Sequence, residues 1–194
     1  MLNNFIIVNL GGSGSQFLAK VLNTSKQWTV EHESTYRGNR KMLVLDINKE
    51  LNRDYFGEVN GFLRFGYDEI KANKKAVVIR NPRDVFTSWY SFTNGELWPK
   101  WHEQTERTLY IFDRLIERKD LIIRFDKMTT NKGYLSDVAK CLGINDIDFN
   151  NIDMAPTNNH NQGLTWEEIP YPERELFGSY SNFFYTKYRG LLWT

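Results

Sequence analysis

A short apolar run, Phe5-Ile6-Ile7-Val8-Asn9-Leu10, ends in Gly11-Gly12-Ser13-Gly14-Ser15, and a helical pattern follows at once. This arrangement constrains the fold more than any other feature of the chain. A nearly unbroken apolar run of that length reads as a strand covered on both faces, as in a parallel sheet. Over 16–22 the apolar residues Phe17, Leu18, Val21 and Leu22 fall at helical spacing. The first unit is therefore strand, glycine-rich turn, helix. A second unit repeats it: Ala76-Val77-Val78-Ile79, then Arg80-Asn81-Pro82, then a helical stretch over 85–92. Pro82 suits a first helical turn, where its missing N–H costs nothing.

Further along, Tyr110, Ile111, Leu115 and Ile116 predict an amphipathic helix, and Leu121-Ile122-Ile123 predicts a third buried strand. A helix over 134–142 stops at Gly143, a usual C-terminal cap. The Asn- and Asp-rich stretch 145–161 predicts loop, and 171–188 predicts one last helix. Residues 41–66 give no clear pattern. Strands alternating with helices predict an α/β fold of three layers, a central parallel sheet flanked by helices.

The 194 residues suit one domain, spanning 1–194. The net charge is +1, so neither nucleic acid nor a membrane surface is an expected partner, since both call for a basic excess. Cys141 is the only cysteine, which excludes an intrachain disulfide and a cysteine metal site. The N-terminal residues carry no basic segment, and the run 5–10 is too short for a signal core or a membrane span. A cytoplasmic protein is expected, without a metal. Oligomeric state is not legible.

The turn at 11–15 favours an anion. Glycines let backbone N–H groups converge, the helix N-terminus adds partial positive charge, and Ser13 and Ser15 can donate hydroxyl hydrogen bonds. A plain strand-to-helix turn with a serine cap is the simpler alternative. The turn lacks the Gly-Lys-Ser/Thr of nucleotide triphosphatases. It also fails G-x-G-x-x-G, because Phe17 stands at the third glycine.

The second unit puts Arg80 at a strand end and Ser88 about two turns into the next helix. The guanidinium offers a planar fork for a phosphate; a surface arginine paired with Asp84 is the alternative. Gly12-Ser13-Gly14-Ser15-Gln16 resembles the 5′-phosphosulfate loop of the sulfotransferases that use 3′-phosphoadenosine 5′-phosphosulfate (PAPS). Arg80-Asn81-Pro82 with Ser88 resembles their Arg-x-Pro-x-x-x-x-x-Ser motif, and 121–126 resembles a later strand of that family. The resemblance implies a P-loop-like sulfotransferase fold. It implies sulfuryl transfer from PAPS to an acceptor hydroxyl or amine, leaving 3′-phosphoadenosine 5′-phosphate (PAP).

By the same resemblance Gly12, Ser13, Gly14, Ser15 and Gln16 bind the 5′-phosphosulfate, and Arg80 and Ser88 bind the 3′-phosphate. Phe17 stands where relatives stack an aromatic on adenine, although its helical spacing with Val21 fits a core position equally well. Arg189-Gly190 resembles the family's second 3′-phosphate contact. One departure is clear: relatives carry Lys or Arg where this chain has Gly12. That cation meets charge on the bridging oxygen as the S–O bond breaks. Arg37, Arg40, Lys41 and Arg64 are candidates to replace it.

An acceptor hydroxyl must lose its proton, and Val30-Glu31-His32-Glu33 is similar to a segment of small bacterial sulfotransferase-like proteins. Glu33 is the expected base, with His32 as its partner or as the base itself. A solvated charged turn is the alternative. Of the other histidines, His102 adjoins the aromatic stretch 98–101, which can border an acceptor pocket, and His160 lies in the Asn-rich loop. The aromatic wealth near 89–101 suits a sugar, a phenol or a lipid-like alcohol as acceptor. Two other functions stay open: a module that binds PAP or PAPS without turnover, and a nucleotide kinase or hydrolase with a degenerate loop.

Overall fold

Five strands, β1 (Asn4–Asn9), β2 (Thr29–His32), β3 (Phe56–Val59), β4 (Lys74–Ile79) and β5 (Leu121–Arg124), form one sheet. Their order is β2-β3-β1-β4-β5, and every pairing is parallel. The computed structural model describes residues 2–10, 14–34, 39–93, 101–118, 120–154, 164–175 and 177–192, with backbone alone at 101–105, 180 and 191–192.

The two-residue period of β1 builds the layers. Phe5 and Ile7 face one side, against α1 (Ser15–Leu22) and α6 (Lys132–Leu142). Ile6 and Val8 face the other, against α2 (Arg40–Glu50), α4 (Trp101–Glu117) and α8 (Ser179–Leu192). All four side chains are fully buried. This is the expected three-layer α/β fold. Three further helices are α3 (Pro82–Phe92), α5 (Phe125–Thr130) and α7 (Tyr171–Glu175). The cap at Gly143 has φ 95°, the left-handed geometry that ends α6 there.

Several local expectations change. Strand β3 lies in the stretch that carried no legible pattern, because Gly57 and Glu58 are residues that strands usually lack. Gly57 is required, since the ring of Phe5 occupies the space its Cβ would fill. The single helix predicted over 171–188 is two helices. Gly178 adopts φ 83°, and fully buried Phe177 packs against Phe86 and Trp166, with ring centroids 5.8 and 4.8 Å away. On α4 the buried stripe is Leu109, Phe112 and Leu115, whereas Tyr110 is exposed. β5 is an edge strand in which Ile123 alone is buried. In the loop predicted over 145–161, a short 3-10 turn forms at Phe149–Asn151; residues 155–161 lie outside the described residues.

Candidate functional site

The strand order changes direction between β1 and β4. The chain leaves β1 through α1 toward β2, and leaves β4 through α3 and α4 toward β5. A crevice at the C-terminal strand ends is the expected ligand position in such a sheet. Three residues meet there: Gly14 after β1, Arg80 after β4 and Phe125 after β5.

Gly14 caps α1 in the left-handed region, with φ 70°. A Cβ at Gly14 would sit 2.8 Å from Phe125 Cε2 and 2.9 Å from Met128 Cε, so glycine is required by space as well as by conformation. The Arg80 guanidinium lies 4.5 Å from the centroid of the same ring. Phe125 thus joins the two motifs that the sequence singled out separately. Burial lowers the pKa of Arg80, opposed by the charge of Asp84. Burial in turn pushes the Asp84 carboxyl up, opposed by Arg80. Asn81 caps α3 by accepting from the Arg83 N–H at 2.9 Å, which fixes the direction in which the helix leaves Arg80. Ser88 is buried on α3.

Ser15 opens α1, and its Oγ lies 2.9 Å from His32 Nε2. The contact spans the loop end and the last residue of β2, two strands away. His32 is half-buried. Glu33 is exposed, with φ 52°, and its N–H donates to the Val59 carbonyl at 3.2 Å. A non-glycine residue in the left-handed region is uncommon and marks a sharp turn just past His32.

That turn is held from below by Glu58. Its carboxylate is fully buried and accepts from Ser34 N–H at 3.0 Å, Ser34 Oγ at 2.7 Å and Asn60 Nδ2 at 3.0 Å. Burial raises its pKa, and the hydrogen bonds from Ser34 and Asn60 act against that rise.

Arg64 closes the group. It donates to the Gly61 carbonyl, stacks over Phe65 at 4.4 Å and has its pKa pushed down to about 10, mainly by burial. The charge of Glu33 pulls the value back up, so the two side chains lie within electrostatic reach. An ideal Cβ on Gly61 would fall 3.2 Å from the Asn9 carbonyl and 3.3 Å from Arg64 Nη1. This puts the guanidinium beside the end of β1, where the glycine-rich turn begins. Asn9 is buried there, and its Oδ1 has no hydrogen-bond partner among the described residues.

The sequence candidates divide accordingly. Gly14, Ser15 and His32 come together, and Arg80 joins Gly14 through Phe125. Gln16 is exposed on α1. Phe17 is 6% exposed and packs with Leu18, Val21 and Leu22 in the core, so of its two readings the packing supports the core one. Arg189 is exposed on α8, 5.7 Å from the ring of Tyr185, which also lies 4.1 Å from Arg83. Among the candidate cations, Arg64 is beside the end of β1, Arg40 pairs with Glu69, and Lys41 is exposed. Gly12, Ser13, Arg37 and His160, with the side chain of His102, lie outside the described residues.

Sequence reasoning missed Phe125, Glu58 and Asn9. Phe125 falls in the stretch 121–126 that resembles a later strand of the family, but nothing local shows that its ring meets Gly14 and Arg80. Glu58 is a charged residue inside a strand that gave no apolar pattern. Among the described residues no cluster of three metal-ligating side chains occurs, and no helix is long and apolar enough to cross a membrane.

No protein-family model matches the chain, and no curated protein matches it in sequence. Among solved structures it is similar to a sulfotransferase from Alicyclobacillus acidocaldarius, with a TM-score of 0.53 and 16% sequence identity. The alignment covers 91% of this chain and 94% of that one. The likeness shows a sulfotransferase-like fold.

Proposed function

We propose that this chain transfers the sulfuryl group of PAPS to an acceptor hydroxyl or amine by in-line displacement. The observation that carries the reading is the 2.9 Å contact between Ser15 Oγ and His32 Nε2, which brings a proton acceptor to the head of the glycine-rich turn. The sulfotransferase-like fold supports it.

The residues present suit the donor nucleotide. The left-handed Gly14 and the N-terminus of α1 favour an anion, and Arg80 offers a planar fork one strand away. Gly12, Ser13, Gly14, Ser15 and Gln16 hold the 5′-phosphosulfate. Arg80 and Ser88 hold the 3′-phosphate, and Arg189 is a further candidate for it. The acceptor oxygen or nitrogen attacks sulfur opposite the bridging oxygen. The bond from sulfur to that oxygen breaks, and PAP leaves with the electron pair.

The acceptor proton passes to His32. When Ser15 donates its hydroxyl hydrogen, Nε2 carries its lone pair toward the loop, as a general base requires. Glu33 is exposed and turns away from β2 at its left-handed residue, so His32 is the better placed of the two expected bases. Arg64 supplies the positive charge that Gly12 lacks, and it remains protonated at neutral pH even with its pKa near about 10.

The test is calorimetric titration of the folded protein with PAP, with ATP and Mg²⁺ as control, followed by transfer of labelled sulfuryl from PAPS. Binding of PAP without binding of ATP, together with transfer that fails in His32→Gln, is the expected result. A folded protein that does not bind PAP overturns the reading. PAP binding without transfer to any acceptor leaves a binding module in its place.

A further inference from the structure

An arginine-lined groove lies beside this site, on the face of the sheet that carries α2 and α4. Its cavity volume is about 170 Å³, and its lining includes Arg40, Arg64, Arg107, Arg114, Arg118 and Asp68. Five arginines against one acid in a single groove contrast with a chain whose net charge is only +1.

The arrangement is built into α4. Arg107, Ile111 and Arg114 fall at i, i+4 and i+7, one face of the helix, and Arg118 follows directly after its last residue. The acids on hand neutralise only the periphery. Arg118 pairs with Asp68, and Arg40 with Glu69. Arg64, Arg107 and Arg114 form no ion pair among the described residues. The charge of Arg107 also lowers the pKa of Arg64, so the two cations face the same space. Buried or crowded cations of one sign call for an anion between them.

The groove and the site have one residue in common. Arg64 is shared between it and the site, beside the end of β1 and within electrostatic reach of Glu33. We infer that this groove binds the acceptor through oxyanion groups, sulfate, phosphate or carboxylate, that the acceptor already carries. The word acceptor rests on the proposed sulfuryl transfer; the anion site does not. A guanidinium fork binds each of these groups in the same bidentate way, so the geometry specifies the shared chemistry. Ile111 and Phe65 supply the apolar wall that a sugar ring or short carbon skeleton needs between its charged groups.

The test uses the full chain at low ionic strength and three probes: a sulfated disaccharide, its neutral parent and inorganic pyrophosphate. The sulfated disaccharide or pyrophosphate binds, the neutral parent does not, and affinity falls with added salt. In Arg107→Gln/Arg114→Gln, affinity for the bound probe drops by roughly tenfold or more, since two charge-assisted contacts are lost. Both positions are exposed on α4, so folding is retained, as thermal unfolding verifies. Arg107→Lys/Arg114→Lys restores part of the affinity. Titration with PAP separates this inference from the functional reading. Intact PAP binding with no probe bound, or with probe affinity unchanged in the glutamine variant, overturns the groove alone. Probe binding that depends on Arg107 and Arg114 in a protein that does not bind PAP keeps the groove and removes the sulfuryl transfer.

Discussion

Ser15 Oγ and His32 Nε2 lie 2.9 Å apart although their strands are separated by β3, so the turn after β1 and the end of β2 form one unit. The two residues are expected to fail differently. His32→Gln keeps an amide near Ser15 and removes the proton acceptor. Turnover is expected to fall by about 10²–10⁴, the usual contribution of a general base, with PAP affinity little changed. Ser15→Ala is expected to weaken PAP binding itself. Single-turnover transfer from labelled PAPS, measured beside PAP titration, checks both. Equal loss of binding in the two variants shows that His32 positions the loop rather than accepting a proton.

Arg80 rests on the ring of Phe125, with the guanidinium 4.5 Å from its centroid. The aromatic face restricts where the guanidinium can lie. Arg80→Ala is expected to reduce PAP affinity by roughly 10–100-fold, the loss of one charge-assisted bidentate contact. Arg80→Lys retains charge and loses the fork, so an intermediate affinity is expected. Phe125→Leu retains Arg80 but frees its orientation, and a smaller loss in the same titration is predicted. An affinity for PAP that ignores all three changes places the 3′-phosphate elsewhere.

The strand–turn–helix units at 4–22 and 74–92 are legible because their signals are local: apolar runs, a glycine cluster, and Pro82 at a helix start. Their convergence is not local. Phe125 joins the site because β5 lies next to β4, a pairing that no short-range pattern encodes. β3 escapes because packing chose its residues. Gly57 yields to the ring of Phe5, and Glu58 is a buried charge that only its partners Ser34 and Asn60 make tolerable. Phe17 shows the limit in the other direction. Its position after the loop fits two roles, and only the packing of α1 against the sheet assigns it to the core. The break at Gly178 was hidden for a similar reason, since the helical pattern on either side of it is continuous.

Gly14 is constrained twice, by its φ of 70° and by the ring of Phe125. The left-handed backbone alone costs an alanine about 1–2 kcal/mol, and crowding by Phe125 and Met128 adds to that. Gly143→Ala is the fitting control. Gly143 has φ 95°, but the nearest atom to its Cβ is the flexible end of Lys74 at 3.3 Å. Thermal unfolding is expected to show Gly14→Ala below Gly143→Ala, at about 2–4 °C per kcal/mol for a chain of this size. Equal midpoints mean that the Phe125 ring moves aside without cost.

Glu58 gives a pH-dependent test of the turn that carries His32 and Glu33. Burial raises its pKa above the ordinary 4.5, so the folded state holds its proton more tightly than the unfolded state does. Between the two values the folded state binds more protons, and stability from this residue falls as pH rises through that window. It is fully present below the ordinary value and lost above the raised one. Glu58→Gln removes the titration while keeping the geometry. Its carbonyl can accept from the Ser34 and Asn60 N–H groups, and its amide can donate to Ser34 Oγ. Urea unfolding of both proteins as pH rises above 4.5 is expected to show the variant gaining on the native chain and then levelling off. Sulfuryl transfer is expected to survive the change, because the hydrogen bonds that hold Ser34 survive it. Glu58→Ala, which leaves the buried Asn60 amide and the Ser34 donors without their acceptor, is expected to lose both stability and transfer. A stability difference between native and glutamine proteins that stays constant with pH shows that the carboxylate is fully compensated by its three donors, and that burial does not govern its ionisation.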